Sequence, residues 1–256
     1  MFARYLTPEA LLLLVLGLGL LGGGALALHL GPWVAGGLAL AYLLFAFETL
    51  VARLQDRLLE RDLATGHFAH GLKLAGAIRD SAHRPVKRDL AEFDVGLVHL
   101  ARGAPADAVR SFGRIQKHRL QEPMRHLVAL YQAIALLRAY GEAERAEAAT
   151  AALAAAREAL QLLGEDAPLL ACEAEALQAL GESGRAFDLL ERSLQLDPDP
   201  RDPSPGERHL LFARAALASG HPDAALKALR IAAGLAGEPP FVRAARAELE
   251  KLAHAS

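Results

Sequence analysis

Ala167 to Pro198 reads APLLACEAEALQALGESGRAFDLLERSLQLDP, and the placing of its apolar residues and glycine decides the fold. Leu170, Ala174 and Leu177 recur at spacings of three and four, the signature of one buried helix face. Gly181 interrupts that pattern, Ala186 and Leu190 resume it, and Asp197-Pro198 closes it. Alanine and leucine dominate the rest of the chain as well, whereas the β-branched and aromatic residues that favour pleated strands are scarce, so an all-α chain is expected.

The same pattern returns elsewhere. His209 to Ala233, HLLFARAALASGHPDAALKALRIAA, places Ala213, Gly220, Ala225, Leu229 and Ala232 at matching positions, and Glu92 to Ile115, EFDVGLVHLARGAPADAVRSFGRI, does so with Val95, Gly96, Gly103, Ala108, Phe112 and Ile115. A weaker copy lies between them, with Leu130, Ile134, Leu137, Gly141 and Ala146, its second helix running on through an alanine-rich stretch to Leu163. The turn glycines Gly103, Gly141, Gly181 and Gly220 stand 38, 40 and 39 residues apart. Such a period marks a solenoid, because one helix pair cannot bury its apolar face alone and neighbouring pairs must stack. Gly66, Gly71 and Ile78 fit a degenerate opening repeat. Pro240 to His254 reads as an amphipathic helix that covers the last repeat. The link DPDPRDPSPGE, Asp197 to Glu207, is expected to be a rigid, non-helical spacer.

On these residues the chain resembles the tetratricopeptide repeat (TPR) family. Leu170, Ala174, Leu177, Gly181, Ala186, Leu190 and Pro198 stand where that repeat places a large apolar residue, a small one, a large apolar one, the turn glycine, an alanine, a second large residue and a closing proline. The family's period is about 34, so each link here is longer by several residues. The resemblance implies a scaffold that binds a peptide or protein partner along the concave surface built from the first helices. Projected onto this sequence, that groove includes Tyr131, Gln132, Arg138, Glu175, Gln178 and Arg214. The lysines and asparagines of the family's carboxylate clamp are absent at the corresponding places, which disfavours recognition of a free C-terminal carboxylate.

Hydrophobicity is concentrated at the start of the chain. Leu11 to Leu30 has His29 as its only polar side chain, and after Gly31-Pro32 a second apolar run extends from Trp33 to Ala52. Each is long enough to cross a bilayer core of about 30 Å, so a two-helix transmembrane hairpin is expected. Arg4 precedes it, Arg53, Arg57 and Arg61 follow it, and no Lys or Arg lies between the runs, so the positive-inside rule places both termini in the cytoplasm. Ala25-Leu26-Ala27 also resembles a signal-peptide cleavage site, in which case Trp33 to Ala52 remains as the anchor. The expected domains are a hairpin over 1–52, juxtamembrane helices and a possible degenerate repeat over 53–88, and a TPR-like domain with a capping helix over 89–256. The expected location is the inner (cytoplasmic) membrane, multi-pass, with cytoplasmic repeats.

Chemistry is sparse. No phosphate-binding glycine loop, GxSxG, HExxH or paired-cysteine motif occurs, so no enzyme, cofactor or metal is expected. His67 and His70, with His83, have the spacing of metal ligands on a helix but read better as surface histidines. Cys172 is the one cysteine and reads as a packing residue. The net charge of −2 and the short basic stretch His83 to Arg88, without interleaved aromatics, argue against nucleic acid. The expected function is therefore a membrane-anchored TPR adaptor mediating protein–protein interaction at the cytoplasmic face of the inner membrane; the alternative is a structural subunit of a membrane transport, secretion or envelope-assembly complex.

Overall fold

The computed structural model describes residues 54–255 except 56, 64, 198–202 and 236–238. The chain divides after Leu58 into two units, and the second, Leu59–Ser256, carries the repeats. Its described residues are helical at 59–63 and then form α1 (Phe68–Ser81), α2 (Pro85–Ala101), α3 (Pro105–Arg114), α4 (Glu122–Ala139), α5 (Glu142–Leu163), α6 (Ala167–Ala179), α7 (Ser183–Leu196), α8 (Pro203–Ala218), α9 (Pro222–Ala233) and α10 (Pro240–Ala255), with a short 3-10 turn at Lys117–Arg119. The architecture is an all-α solenoid.

The expected membrane hairpin is corrected. Among the described residues no helix is long and apolar enough to cross a membrane. The longest, α5, has the length but carries Glu144, Arg145, Glu147, Arg157 and Glu158 along it, and charges at mid-helix are costly in hydrocarbon. Leu11 to Leu30 and Trp33 to Ala52 lie outside the described residues, so nothing in the fold supports a multi-pass inner-membrane location, and neither the hairpin nor that location is carried further.

Proline and glycine punctuate the helices. Proline occupies the first or second position of α2, α3, α4, α6 and α9, where its missing N–H has no intrahelical partner to lose. Gly103, Gly181 and Gly220 close α2, α6 and α8 with φ of 78°, 82° and 80°. At each, the next N–H reaches back five residues: Ala104 N–H to the His99 carbonyl at 2.9 Å, Glu182 to Leu177 at 2.9 Å and His221 to Ala216 at 2.8 Å. These are Schellman turns, which satisfy carbonyls a helix end leaves open. Gly66 makes the same turn, with φ of 75° and His67 N–H on the Asp62 carbonyl at 2.8 Å, so the repeat geometry begins before α1.

Gly141 departs from this series. Its φ is −72° and ψ 178°, it follows an extended Tyr140, and it serves as the residue before α5 rather than as a left-handed turn. Ala146, expected to be a buried contact, is exposed; Ala149, Ala152, Ala156 and Ala159 are fully buried instead. The alanine-rich stretch had no unique register in sequence, and packing chose one. The proline-rich link also differs from expectation, because α8 begins at Pro203 and absorbs half of it. Proline in a helix's first turn costs no hydrogen bond. Pro198 lies outside the described residues.

Within each hairpin the helices meet at small residues. Ala108, Ala186 and Ala225 are fully buried, as are Ala174 and Ala213. Gly96 on α2 lies under Phe112 of α3 so closely that a Cβ there would fall well under 3.0 Å from the ring. The same device docks α10, whose Phe241 covers Gly206 of α8. Arg208, 2% exposed, ties α8 to α7: its guanidinium donates to the Ser193 carbonyl at 3.0 Å and to the Asp197 carboxylate at 2.7 Å, placing positive charge on the α7 C-terminus.

These geometries give contrasting expectations for urea unfolding. Gly181→Ala should destabilise by about 1–2 kcal/mol, because it forces a Cβ into the left-handed region, whereas Gly141→Ala should stay within about 0.5 kcal/mol of the parent, since the loss of a favoured N-cap and the gain in chain stiffness offset. Ala186→Leu should cost about 1–3 kcal/mol by overpacking.

Candidate functional site

Sequential helices pack throughout, but α2, α4, α6, α8 and α10 also touch their next-but-one neighbours more extensively than α3, α5, α7 and α9 touch theirs. In a curved stack the layer whose members lie closer together is the inner one, so the first helices form the concave face. Each of the six residues expected in the groove lies on this layer.

The centre of the face is an inter-repeat ion cluster. Arg138 of α4 grips Glu175 of α6 through two bonds, Nε to Oε1 at 2.6 Å and a terminal nitrogen to Oε2 at 2.7 Å, and reaches Glu207 of α8 at 2.9 Å. Three repeats are thereby joined by one guanidinium, whose planar fork suits a carboxylate better than a lysine would. Arg138 and Glu175 are 25% and 15% exposed, so the pair is held against solvent competition. Burial disfavours the Arg138 charge, yet the two carboxylates outweigh it and hold its pKa well above the ordinary value.

Tyr131 and Cys172 flank this cluster. Burial, reinforced by the thiol and nearby carboxylates, raises the Tyr131 hydroxyl well above the usual phenol range. Burial, with Glu175 second, pushes the Cys172 thiol up to about 12, against an opposing effect of Arg138. Cys172 is therefore a packing residue with no thiolate to act as a nucleophile near neutrality. Tyr131 also meets the buried Phe93 of α2 edge-on, with ring centroids 5.7 Å apart, which fixes the tyrosine ring between the first two repeats.

Farther along, Gln178 donates to the Leu211 carbonyl at 3.0 Å, which joins α6 to α8. Arg214, 47% exposed, pairs with Glu248 of α10 at 2.7 Å. Gln132 is half-buried beside Tyr131. The six expected residues thus share one layer, and Tyr131, Arg138 and Glu175 come together, but Arg138, Glu175, Gln178 and Arg214 hold neighbouring repeats rather than standing free. Glu207 and Glu248 were missed. The pairing of Arg138 with Glu175 had no signal in the sequence: counting from Ile134 and Ala174, which occupy equivalent places, Arg138 is four residues on and Glu175 one residue on. The two positions are not equivalent, so their contact depends on how far adjacent hairpins are offset when they stack.

Of the histidines, His70 Nδ1 meets Asp62 Oδ2 at 2.5 Å and His67 Nδ1 meets Thr65 Oγ1 at 2.7 Å, while His83 is exposed. The Asp62 carboxylate beside His70 was not foreseen; it is brought round by the turn at Gly66. Among the described residues no group of three metal-ligating side chains converges.

The raised thiol has a pH consequence with a fixed sign. The unfolded chain loses the Cys172 proton near 9 and the folded one near 12, so stability should fall as pH rises from about 9 toward 12, and Cys172→Ala should flatten that limb in a pH series of urea midpoints. Iodoacetamide at pH 8 should alkylate the folded protein at least about 100-fold more slowly than the unfolded one. Glu175→Gln should cost about 1–3 kcal/mol, because it removes the doubly bonded carboxylate from a largely desolvated guanidinium.

No protein-family model matches the chain, and no curated protein matches it. Among solved structures it is similar to the crystal structure of a thermophilic TPR protein from Thermus thermophilus, with 21% identity, a TM-score of 0.56, and coverage of 78% of this chain and 97% of that one. At that identity the likeness bears on fold alone, and it agrees with the helix order and turns: the chain folds as a TPR-like α-solenoid.

Proposed function

We propose that this chain is a non-enzymatic scaffold that binds a protein partner across the face formed by α2, α4, α6, α8 and α10. The observation that carries the proposal is the continuity of that layer: Arg138 bridges Glu175 and Glu207, Gln178 reaches the Leu211 backbone and Arg214 reaches Glu248, so consecutive first helices are fixed in register. A face whose shape is fixed before binding loses little conformational entropy when a partner docks, and that loss is a main cost of association. Tyr131, half-buried and held edge-on by the buried Phe93, supplies an aromatic contact of the kind enriched at interfaces, with Gln132 beside it for polar contact.

A photo-reactive amino acid placed in the full chain tests this directly. At Gln132 or Arg214 it should cross-link a discrete partner band in cells of the source organism, whereas at Glu191, exposed on the second-helix layer, it should not. Equal labelling from Glu191, or no band from either inner position, would remove the concave face as the binding surface.

A further inference from the structure

A second feature lies away from that face. A cavity of about 340 Å³ opens between α4 and α5, with Leu136, Tyr140, Ala148 and Ala151 as its apolar walls and Glu144 and Glu147 completing the lining. Leu136 is five residues from Tyr131, roughly 140° around α4, so the cavity is on another side of the helix from the ion cluster. It adjoins the one inter-helix turn among the four aligned repeats that lacks the left-handed glycine, at Tyr140-Gly141. Aligned repeats place Gly96, Ala174 and Ala213 where this one has Ile134, and α5 is longer than α3, α7 and α9. A local rule broken at a hollow is where a binding role is expected.

The lining also states the chemistry of an occupant. Glu144 and Glu147 are exposed, and among the described residues neither is paired with a cation. Arg145, though adjacent in sequence, is not part of the lining. Tyr140, 43% exposed, contributes its side chain to the same hollow. Two carboxylates, an aromatic ring and an apolar floor complement a long cationic side chain: its methylene stem lies on Leu136, Ala148 and Ala151 while its charged head meets the carboxylates and the ring.

We propose that this α4–α5 cavity receives a lysine or arginine side chain of a partner polypeptide. The site is separate from the concave face, so either can fail without the other.

The test uses the full chain and a fluorescein-labelled peptide of three Gly-Ser-Arg units, with the same peptide carrying citrulline for arginine as the neutral control, read by fluorescence anisotropy. The arginine peptide should bind at least about tenfold more tightly than the citrulline peptide, and Glu144→Gln/Glu147→Gln should erase that difference. Ala151→Leu, an exposed position where leucine fills the cavity without entering the core, should weaken binding to a similar extent. Asp188→Asn/Glu191→Gln, which removes two exposed carboxylates of α7, should leave affinity within about twofold. Equal loss from the α7 pair would reveal general electrostatic attraction, and unchanged binding by Ala151→Leu would show that the hollow is not used; either result overturns the proposal, as does equal affinity for the two peptides.

Discussion

Close approach of two helices at a small side chain governs this molecule. Where Gly96 lies beneath Phe112, and where Ala186 and Ala225 are fully buried in their hairpins, the backbones come near enough for large neighbours such as Leu190 and Leu229 to be fully buried beside them. Everything outward depends on that distance. It sets the spacing between successive hairpins, and the spacing puts Arg138 within reach of carboxylates from two later repeats.

The second aligned repeat shows what happens when the rule is relaxed. Ile134 takes the small residue's place, and the cost is met across the interface by alanines of α5, with Ala149, Ala152, Ala156 and Ala159 all inaccessible to solvent. The exchange of large for small conserves volume in the core. It also changes the hairpin's geometry, since the chain passes through an extended Tyr140-Gly141 instead of a left-handed turn. The cavity beside Tyr140 sits at this altered junction. Core packing, turn conformation and surface relief are therefore one linked adjustment.

Buried polar groups follow the same logic of stacking. Glu92 of α2 accepts from Arg79 of α1 at 3.3 Å and Arg114 of α3 at 3.2 Å, and Glu173 of α6 accepts from Arg157 of α5 at 2.9 Å. A carboxylate taken from water needs partners to offset its desolvation, and here each partner comes from an adjacent helix. Such pairs favour one helix register over its neighbours, which purely apolar alanine-rich surfaces specify weakly.

Much of the fold was legible in the sequence, because its signals are local. Proline at helix starts and glycine at Gly103, Gly181 and Gly220 fix where the chain turns, and apolar residues at three- and four-residue spacing fix which face is buried; both act within a few residues and need no distant partner. The same local reading put Gly141 at the turn between α4 and α5, where it lies but without the left-handed conformation, and assigned Ala146 to the core, where it does not lie. An alanine-rich helix presents nearly equivalent faces, so only the partner surface, here bearing Ile134, can select among them. The six candidate residues share the layer of first helices, as the repeat alignment implies, but their state was not legible: whether Arg138 stands free or is held by Glu175 and Glu207 depends on the offset between stacked hairpins. The sequence by itself determined the helices, their turns and the layer on which the candidate residues lie. Tertiary structure alone decided the register of α5, the bonding of Arg138 and the hollow between α4 and α5, because each arises from the distance between surfaces far apart in the chain.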